Sequence, residues 1–210
     1  MFVVSLTVLD HPLAKHLITG LRDAETEPFA FRRLARSLTT MLVLEATRDV
    51  PLRPVTVRTP IQETSAEVLG CPLAVVPILR AGLGMLEPVF DLFPEVAVGY
   101  IGLERSAETA VARSYYSKLP DFGGKYVLVV DPMLATGGSA SQAIASVKQS
   151  GATQVTMVSV IASPEGVAKL QADHPDVPIV VGALDRGLNE KKYIVPGLGD
   201  FGDRLYATEH

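Results

Sequence analysis

Residues 126–150 read YVLVVDPMLATGGSASQAIASVKQS, and the fold expected for the chain follows from this segment. Its first five residues are apolar and β-prone without alternation, which is typical of a strand buried on both faces of a parallel sheet. Asp131 and a proline end the strand, a turn of small residues follows, and apolar residues take helical spacing from Ala140 onward. The segment therefore predicts a strand, a loop and a helix, with Ser139 as the helix N-cap.

The predicted loop, residues 131–139, is suited to binding an anion. The first N–H groups of a helix have no intrahelical acceptor, and the helix dipole favours negative charge beside them. Gly137 and Gly138 carry no Cβ, so a phosphate could approach the backbone closely. Asp131 could accept hydrogen bonds from sugar hydroxyls or hold Mg²⁺ through water. Many α/β proteins have such a turn and bind nothing there, so the turn alone leaves both interpretations open.

A charged residue follows each of several predicted strands. Arg80 follows strand 73–79, Arg105 follows strand 96–101, Asp131 follows strand 126–130, and Asp185 follows strand 177–184. Each could be an ordinary solvated surface charge. In an open parallel sheet, however, the carboxyl ends of the strands face one edge, where ligands bind. Together with the anion-binding turn, the four side chains predict one shared ligand site.

Strands alternate with helices between residues 72 and 184, which predicts an α/β fold. We expect an open, mainly parallel twisted sheet with helices on both faces, formed by a single domain over residues 1–210. The sheet and its helices make a core of about 72–184. Residues 1–10 and 185–210 are predicted to form a small hood, and the polar, irregular segment 103–122 a flexible arm. Before the core, the pattern predicts helices at 12–22 and 27–50 and a strand with a turn at 54–67. Within the core it predicts a helix at 83–93 and another that starts at Ser163 and Pro164 and runs to about residue 173.

Composition limits the classes of function. The net charge is −4 and the isoelectric point about 5.6, so the chain lacks a general basic surface for nucleic acid. The only cysteine, Cys71, cannot form an internal disulfide, which fits a reducing compartment. The first ten residues do not resemble a signal peptide, and no apolar run reaches the length of a membrane span. We therefore expect a cytoplasmic protein without membrane or nucleic-acid partners.

The glycines at 197, 199 and 202 match the spacing of a dinucleotide-binding fingerprint. That fingerprint requires a strand before it, a helix after it and an acidic residue about twenty positions further on. Only eight residues follow Gly202, too few for a βαβ unit. The alternative interpretation is a glycine-rich loop whose peptide groups approach the edge of a flat ligand.

Residues 131–139, DPMLATGGS, resemble the signature for 5-phosphoribosyl 1-diphosphate (PRPP) in type I phosphoribosyltransferases. The Asp-Pro form of the signature is similar to that of the uracil phosphoribosyltransferase family. Further segments support this likeness over essentially the whole chain: LDHPL at 9–13, RD at 22–23, EATRD at 45–49, TP at 59–60, ILRAGLGM at 78–85 and YIVPGLGD at 193–200. The signature alone indicates the superfamily, whereas the segment 193–200 points to uracil.

The resemblance implies transfer of the 5-phosphoribosyl group from PRPP to N1 of uracil, a pentosyl transfer that gives UMP and pyrophosphate. It implies a role for each matching position. PRPP would be bound by Arg80, Arg105, Asp131, Pro132, Met133, Leu134, Ala135, Thr136, Gly137, Gly138, Ser139 and Asp200. Uracil would be bound by Ile194, Gly199, Asp200 and Phe201, largely through main-chain groups. Asp200, Arg105 and Asp131 would act in catalysis.

The resemblance also implies Mg²⁺ as the cofactor, carried mainly by PRPP, and a homodimer or homotetramer. GTP activates some members of the family, so GTP is a further candidate partner. The tyrosines at 115 and 116 would belong to the arm over the site. Three positions depart from the family pattern: Glu104 beside Arg105, where a neutral residue is usual, Phe201, where alanine is usual, and Arg186 after Asp185, where an acid is common. They leave arm closure and base selectivity open.

Two alternatives belong to other classes of protein. A regulator with the same fold could bind RNA, although the acidic composition argues against it. A dinucleotide-dependent enzyme would rest on the glycine triplet alone.

Overall fold

The computed structural model of the protein describes residues 5–105 and 112–208, without the side chains of residues 104, 105 and 112–114. The strands are β1 (Leu6–Val8), β2 (Leu52–Arg58), β3 (Glu63–Leu69), β4 (Leu73–Leu79), β5 (Ala97–Val98), β6 (Tyr100–Arg105), β7 (Ala112–Lys118), β8 (Tyr126–Val130), β9 (Met133–Leu134), β10 (Gln154–Ala162), β11 (Ile179–Leu184), β12 (Gly187–Leu188) and β13 (Ile194–Val195). The helices are α1 (Pro12–Arg22), α2 (Pro28–Ala46), α3 (Leu86–Leu92), α4 (Gly138–Gln149), α5 (Pro164–Asp173) and α6 (Phe201–Tyr206), with a 3₁₀ helix at Ala81–Met85.

Nine strands form the main sheet, in the order β1-β11-β10-β8-β4-β6-β7, with β5 beside β4 and β9 beside β10. All of these pairs are parallel except β6 with β7, which is antiparallel. The predicted α/β class with a mainly parallel sheet is thus confirmed.

The central strands β4, β8 and β10 are buried along almost their whole length. One face of the sheet packs against apolar residues of α1, α2, α3 and α6, and the other against those of α4 and α5. Because both faces are covered, neither face of these strands has to be polar. Coverage of both faces explains why their sequences do not alternate.

The segments predicted to form the hood have different places in the structure. β1, within the predicted N-terminal part of the hood, pairs with β11 at one edge of the main sheet, through the register Leu6 to Ile179. Residues 1–4 lie outside the described residues. The C-terminal part consists of β12, β13 and α6, and the antiparallel pair β12–β13 is a separate small sheet. Among the described residues of the two segments, β1 therefore extends the main sheet, whereas β12, β13 and α6 lie outside it.

Three predicted elements differ in detail. The strand expected at 96–101 is divided into β5 and β6 around Gly99, where a Cβ would lie 2.8 Å from Leu119. The helix expected after β4 begins with the 3₁₀ helix and becomes α-helical only at Leu86. The segment 54–67 belongs to an antiparallel hairpin, β2–β3, that pairs with no other strand in the part of the chain that is described.

The predicted arm contains regular structure. β7 pairs with the whole of β6, from Tyr100 opposite Lys118 to Arg105 opposite Ala112, so the described parts of segment 103–122 include an edge strand of the main sheet. Tyr115 and Tyr116 lie on β7 and are about half exposed. The Tyr115 ring covers Gly102, where a Cβ would lie 2.5 Å from the ring. Residues 106–111 of the arm are not among the described residues.

Candidate active site

A pocket of about 370 Å³ lies at the carboxyl edge of the sheet, between the loop after β8 and the C-terminal segment. Seven of the residues that line it were predicted from the sequence: Asp131, Met133, Ala135, Ile194, Gly199, Asp200 and Phe201. Five others were not: Ala81, Lys191, Lys192, Tyr193 and Gly202. The structure thus brings two predicted segments together in one cavity. These are the PRPP loop, residues 131–139, and the base loop, residues 194–201, which contains the predicted uracil-binding residues.

The PRPP loop is anchored to β10 and α5 through its main chain. The Pro132 carbonyl accepts hydrogen bonds from the N–H groups of Val160 and Ile161, each at 3.1 Å. Leu134 is 1% exposed and belongs to the core. Pro132 and Leu134 therefore hold the shape of the loop, and their buried side chains point away from a ligand in the pocket.

Ser163, which sequence reasoning assigned only to the start of α5, also fixes this loop. Its N–H donates to the Leu134 carbonyl at 3.0 Å, and its hydroxyl donates to the Ala135 carbonyl at 2.6 Å. The same hydroxyl caps α5 by accepting from Gly166 N–H at 3.0 Å. A Cβ on Gly166 would lie only 2.5 Å from the Ala135 carbonyl oxygen, so glycine is required for this close approach. The sequence signal that could have indicated this role was a serine at the start of the predicted helix with a glycine three residues later.

The N-cap residue of α4 provides no capping side chain. Gly137, and not the predicted Ser139, is the N-cap, and it has φ +77°. Ser139 lies inside the first turn. A Cβ on Gly138 would meet no described atom closer than Thr136 Oγ1 at 3.9 Å, so packing does not require glycine at that position. The missing side chain instead leaves space for an anion to reach the helix N–H groups.

Arg80 directly follows β4 and lies next to Ala81 on the pocket wall. Its side chain is exposed, the peptide bond that precedes it is cis, and its carbonyl accepts a hydrogen bond from the Tyr206 hydroxyl at 3.3 Å. Burial raises the pKa of Tyr206 above its usual value, against the opposing effect of the Arg80 charge. The phenol therefore stays protonated and able to donate at neutral pH.

Arg105 is the last residue of β6, and its side chain lies outside the described residues. The side chain of Glu104 also lies outside the described residues, so the effect of its charge on closure of the arm stays a prediction. The β6 backbone pairs in parallel with the end of β4. This pairing directs the chain before Arg105 toward the same edge of the sheet as Arg80.

The base loop runs from β13 to the start of α6. The Val195–Pro196 peptide is cis, and Gly197 and Gly199 have φ values of +66° and +81°. Asp200 is the N-cap of α6, because its Oδ1 accepts a hydrogen bond from Asp203 N–H at 3.0 Å. This helix of six residues was not predicted, since glycine and proline dominate the sequence before it.

Phe201 lies in the core. It is 1% exposed, and its ring packs edge-on against Phe31 of α2 with the ring centroids 5.1 Å apart. Its contribution to the pocket wall is correspondingly small. The bulk of the Phe201 ring is thus accommodated against α2.

Asp185 directly follows β11, as predicted, but the prediction that its side chain belongs to the shared ligand site is wrong, because it does not line the pocket. The residue is 6% exposed, and its carboxylate binds the guanidinium of Arg22 from α1 and the N–H of Gly197. Asp185 therefore supports the base loop from behind. The pairing with Arg22 could not be predicted from the sequence, because the two residues are 163 positions apart in the chain.

Lys192 is a further residue of the pocket that sequence reasoning missed. It has φ +66°, a left-handed conformation that a residue with a Cβ adopts at a cost. Its charge also acts on Glu165, whose pKa is lowered chiefly by hydrogen bonds from main-chain N–H groups, including that of Leu188. A basic residue in a strained conformation beside the pocket is a feature of functional sites.

Within the described residues, no three His, Cys, Asp or Glu side chains come close enough together to hold a metal ion. Two carboxylates, Asp131 and Asp200, do line the pocket. Such a pair suits an Mg²⁺ ion whose other ligands are phosphate, sugar and water oxygens, because Mg²⁺ is usually bound by one or two carboxylates and its substrate.

The fold is one that phosphoribosyltransferases of known structure also have. The fold is shared with a hypoxanthine-guanine phosphoribosyltransferase from Bacillus anthracis, at a TM-score of 0.53 and 13% identity, over 75% of this chain and 80% of that chain. A solved structure of the AQ2163 protein from Aquifex aeolicus matches with a TM-score of 0.92 and 41% identity, over 97% of this chain and 98% of that one.

The sequence comparisons specify the family. The family model described as uracil phosphoribosyltransferase matches residues 8–208. A uracil phosphoribosyltransferase from Bacillus licheniformis is 50% identical over 96% of this chain and 98% of its own length, and one from Thermoanaerobacter is 48% identical over 96% and 97%. The chain therefore belongs to the uracil phosphoribosyltransferase family, whose reaction transfers the phosphoribosyl group of PRPP to uracil and gives UMP.

Proposed function

We propose that the pocket at the carboxyl edge performs this transfer, with PRPP on the loop after β8 and uracil on the base loop. The observation that carries the proposal is the single cavity that both loops line, from Asp131 and Ala135 on one side to Gly199 and Asp200 on the other. In this arrangement a sugar on one loop and a base on the other would meet at the centre of the pocket.

Residues 131–139 would hold the ribose and its 5′-phosphate. The N-terminus of α4, which lacks a capping side chain, and the space at Gly138 support this role, because N–H groups and the helix dipole stabilise an anion there. Arg80 and Arg105 would bind the diphosphate, since guanidinium groups form paired hydrogen bonds with phosphate oxygens. Asp131, at the end of β8, would bind the ribose hydroxyls.

Uracil would be read through the main chain of Ile194, Gly199 and Phe201. One edge of uracil presents an acceptor, a donor and an acceptor, a pattern that peptide N–H and C=O groups can match. Cytosine presents a donor in place of the O4 acceptor, so peptide groups of the site would be left unpaired. The base loop could therefore discriminate between the two pyrimidines without a specific side chain.

In the reaction, N1 of uracil attacks C1′ of PRPP, the bond from C1′ to the diphosphate oxygen breaks, and pyrophosphate leaves with inversion at C1′. The proton of N1 is released to the departing pyrophosphate or to water. Arg80 and Arg105 would stabilise the negative charge that develops on the leaving group. Asp200 would lie beside the positive charge that develops on the ribose. Mg²⁺, carried by PRPP and placed by Asp131 and Asp200, would add positive charge near the diphosphate. Closure of arm 103–122 would exclude water and prevent hydrolysis.

The purified protein should release pyrophosphate when supplied with PRPP, Mg²⁺ and uracil together. Hypoxanthine and orotate serve as competing bases in parallel reactions. Turnover of either base without turnover of uracil would refute the assignment of the base. Omission of Mg²⁺ should abolish the uracil reaction, because the diphosphate would then lack its counter-charge.

Arg80→Ala should raise the KM for PRPP by about tenfold or more while changing the KM for uracil less than about twofold, because it removes a charged hydrogen-bond donor to one substrate only. Steady-state kinetics with each substrate varied in turn measures the two constants. Arg36→Ala, on the surface of α2, is the matched control. Equal effects on both substrates would remove Arg80 from the diphosphate site.

We further propose that the protein assembles as a homodimer or homotetramer. The β2–β3 hairpin supports this, because it stands apart from the main sheet and exposes apolar residues, including Ile61 at 92% and Leu52 at 55%.

None of the helices in the described part of the chain is long and apolar enough to cross a bilayer. The lone Cys71 supports a reducing, cytoplasmic location.

GTP is proposed as an effector on the family likeness alone. Addition of GTP to the uracil assay should raise the rate or lower the KM for PRPP. An unchanged rate at all PRPP concentrations would contradict this proposal.

A further inference from the structure

Gly197, in the middle of the base loop, is held on both sides by one buried ion pair. Its N–H donates to Asp185 Oδ2 at 2.9 Å, and its carbonyl accepts from Arg22 Nη1 at 2.7 Å. The same Nη1 donates to Asp185 Oδ2 at 2.9 Å, and Arg22 Nη2 makes a second, very short bond to Asp185 Oδ1. The Asp185 side chain is 3% exposed and that of Arg22 is 25% exposed. The main-chain N–H and C=O of Gly197 are thus each hydrogen-bonded to a charged side chain.

The next carbonyl of the loop is fixed by a second arginine. Arg204 of α6 donates from Nη1 to the Leu198 carbonyl at 2.8 Å. It also donates to the carbonyls of Leu21 and Asp23 at the end of α1, the latter at 2.5 Å, and lies 4.4 Å from the centre of the Phe31 ring. Arg204 therefore ties the loop to α1 and α2. Burial lowers the pKa of its guanidinium, which nevertheless remains charged at neutral pH.

Stability alone does not explain why charged side chains are placed in the partly buried region behind the base loop. A buried ion pair often contributes no more stability than well-packed apolar residues of the same volume would. The base loop, by contrast, needs constraint, because Gly197 and Gly199 allow conformations that other residues do not. Peptide groups can read the edge of a base only if they are held in place, and a displacement of about 1 Å at a reacting site can cost 10²-fold in rate.

We propose that Arg22, Asp185 and Arg204 are positioning residues that set the base selectivity of the loop 194–201. The described residues that line the pocket include none of the three, so they act through the peptide groups of Gly197 and Leu198. The Leu198 carbonyl belongs to the same peptide as the Gly199 N–H, so Arg204 fixes that peptide directly. Arg22 and Asp185 fix Gly197, which follows Ile194 by three residues in the same loop. Ile194 and Gly199 both line the pocket in which the base is proposed to bind. The inference rests on the proposed uracil site and assigns its selectivity to residues outside the pocket.

The test uses Arg22→Lys, which keeps the positive charge but loses the planar fork that spans Asp185 and Gly197. The KM for uracil should rise about tenfold, while the KM for PRPP changes less than about twofold. The ratio of the inhibition constant of cytosine to the KM for uracil should fall about tenfold, and this ratio measures the loss of base selectivity. Arg204→Lys should act in the same direction. Arg36→Lys, whose guanidinium bridges Glu87 and Asp91 on the surface, is the matched control and should change none of these quantities.

The outcomes separate this inference from the proposed function. If the unmodified protein does not use uracil and PRPP, the proposed function fails. If the unmodified protein is active and Arg22→Lys changes both substrate KM values by the same factor, or changes only thermal stability, the positioning role is overturned. Should Arg22→Lys not fold, Arg204→Lys decides by the same criteria, with Asp185→Asn as an isosteric third variant.

Discussion

Asp200 combines two roles in one side chain, since it caps α6 and lines the pocket. Asn caps helices about as well as Asp does, so Asp200→Asn should leave the unfolding temperature nearly unchanged. In the proposed complex with PRPP it removes a negative charge near C1′, and kcat should fall about 10²-fold, the size of effect seen when one electrostatic group is lost from an active site. Steady-state kinetics and thermal unfolding measure the two effects. A loss of thermal stability in proportion to the loss of turnover would contradict a catalytic role.

Lys192 offers a test of backbone strain at the pocket. Glycine adopts φ values near +66° without the steric cost that lysine incurs, so Lys192→Gly should raise the free energy of unfolding by about 1 kcal/mol. Lys191→Gly is the matched control: it does not have positive φ and should lose stability by up to about 1 kcal/mol. Denaturant unfolding at equilibrium measures both. If the two variants shift stability in the same direction, Lys192 does not store strain.

At the scale of elements, α4 and α5 are joined by a small polar cluster. The Asp173 carboxylate accepts hydrogen bonds from Lys169 Nζ at 2.6 Å and from the Ser141 hydroxyl at 2.5 Å. These bonds, first from Lys169 and then from Ser141, hold the pKa of Asp173 below its ordinary value. The native state therefore favours the charged carboxylate, and this contribution to stability is present above the unfolded-state pKa and lost as pH falls through the lower native pKa.

Asp173→Asn should accordingly unfold at a lower temperature than the unmodified protein at neutral pH, and the difference should close as pH falls below about 4. Thermal unfolding monitored by circular dichroism across this range provides the measurement. A difference that persists unchanged in acid would show that packing, and not the carboxylate charge, links the two helices.

The elements of the core were largely predictable because their signals are local. β4 and β8 are apolar runs of strand length, and α1 and α5 begin with proline at the first turn and match their predicted bounds. The N-cap of α4 was predicted wrongly at Ser139, because a serine favours that position in general whereas here Gly137 must adopt positive φ against α5. Helix α6 and the short strands β12 and β13 were missed, since they are stabilised by contacts to distant parts of the chain.

At the scale of the whole molecule, the β2–β3 hairpin bears on assembly. Ile61, at its tip, is 92% exposed, so Ile61→Asp cannot disturb the core of the subunit. If the hairpin joins subunits, a buried charge at this position should shift the protein toward monomers, as measured by light scattering after size-exclusion chromatography. Thr64→Asp, at an exposed polar position of the same hairpin, should leave the mass unchanged. Retention of the oligomer in Ile61→Asp would exclude the tip from the interface.

The order of strands and helices, the glycine turn after Asp131 and the charges at strand ends are all legible in the chain, because they depend on propensity and on spacing over a few residues. The folded structure was needed to show that Asp185 lies buried against Arg22, that the Phe201 ring packs on Phe31, and that Lys192 reaches the pocket. Each of these contacts joins residues far apart in the chain or depends on a backbone angle. Local patterns specify which elements form, whereas packing of the C-terminal segment against the rest of the chain specifies which residues line the pocket.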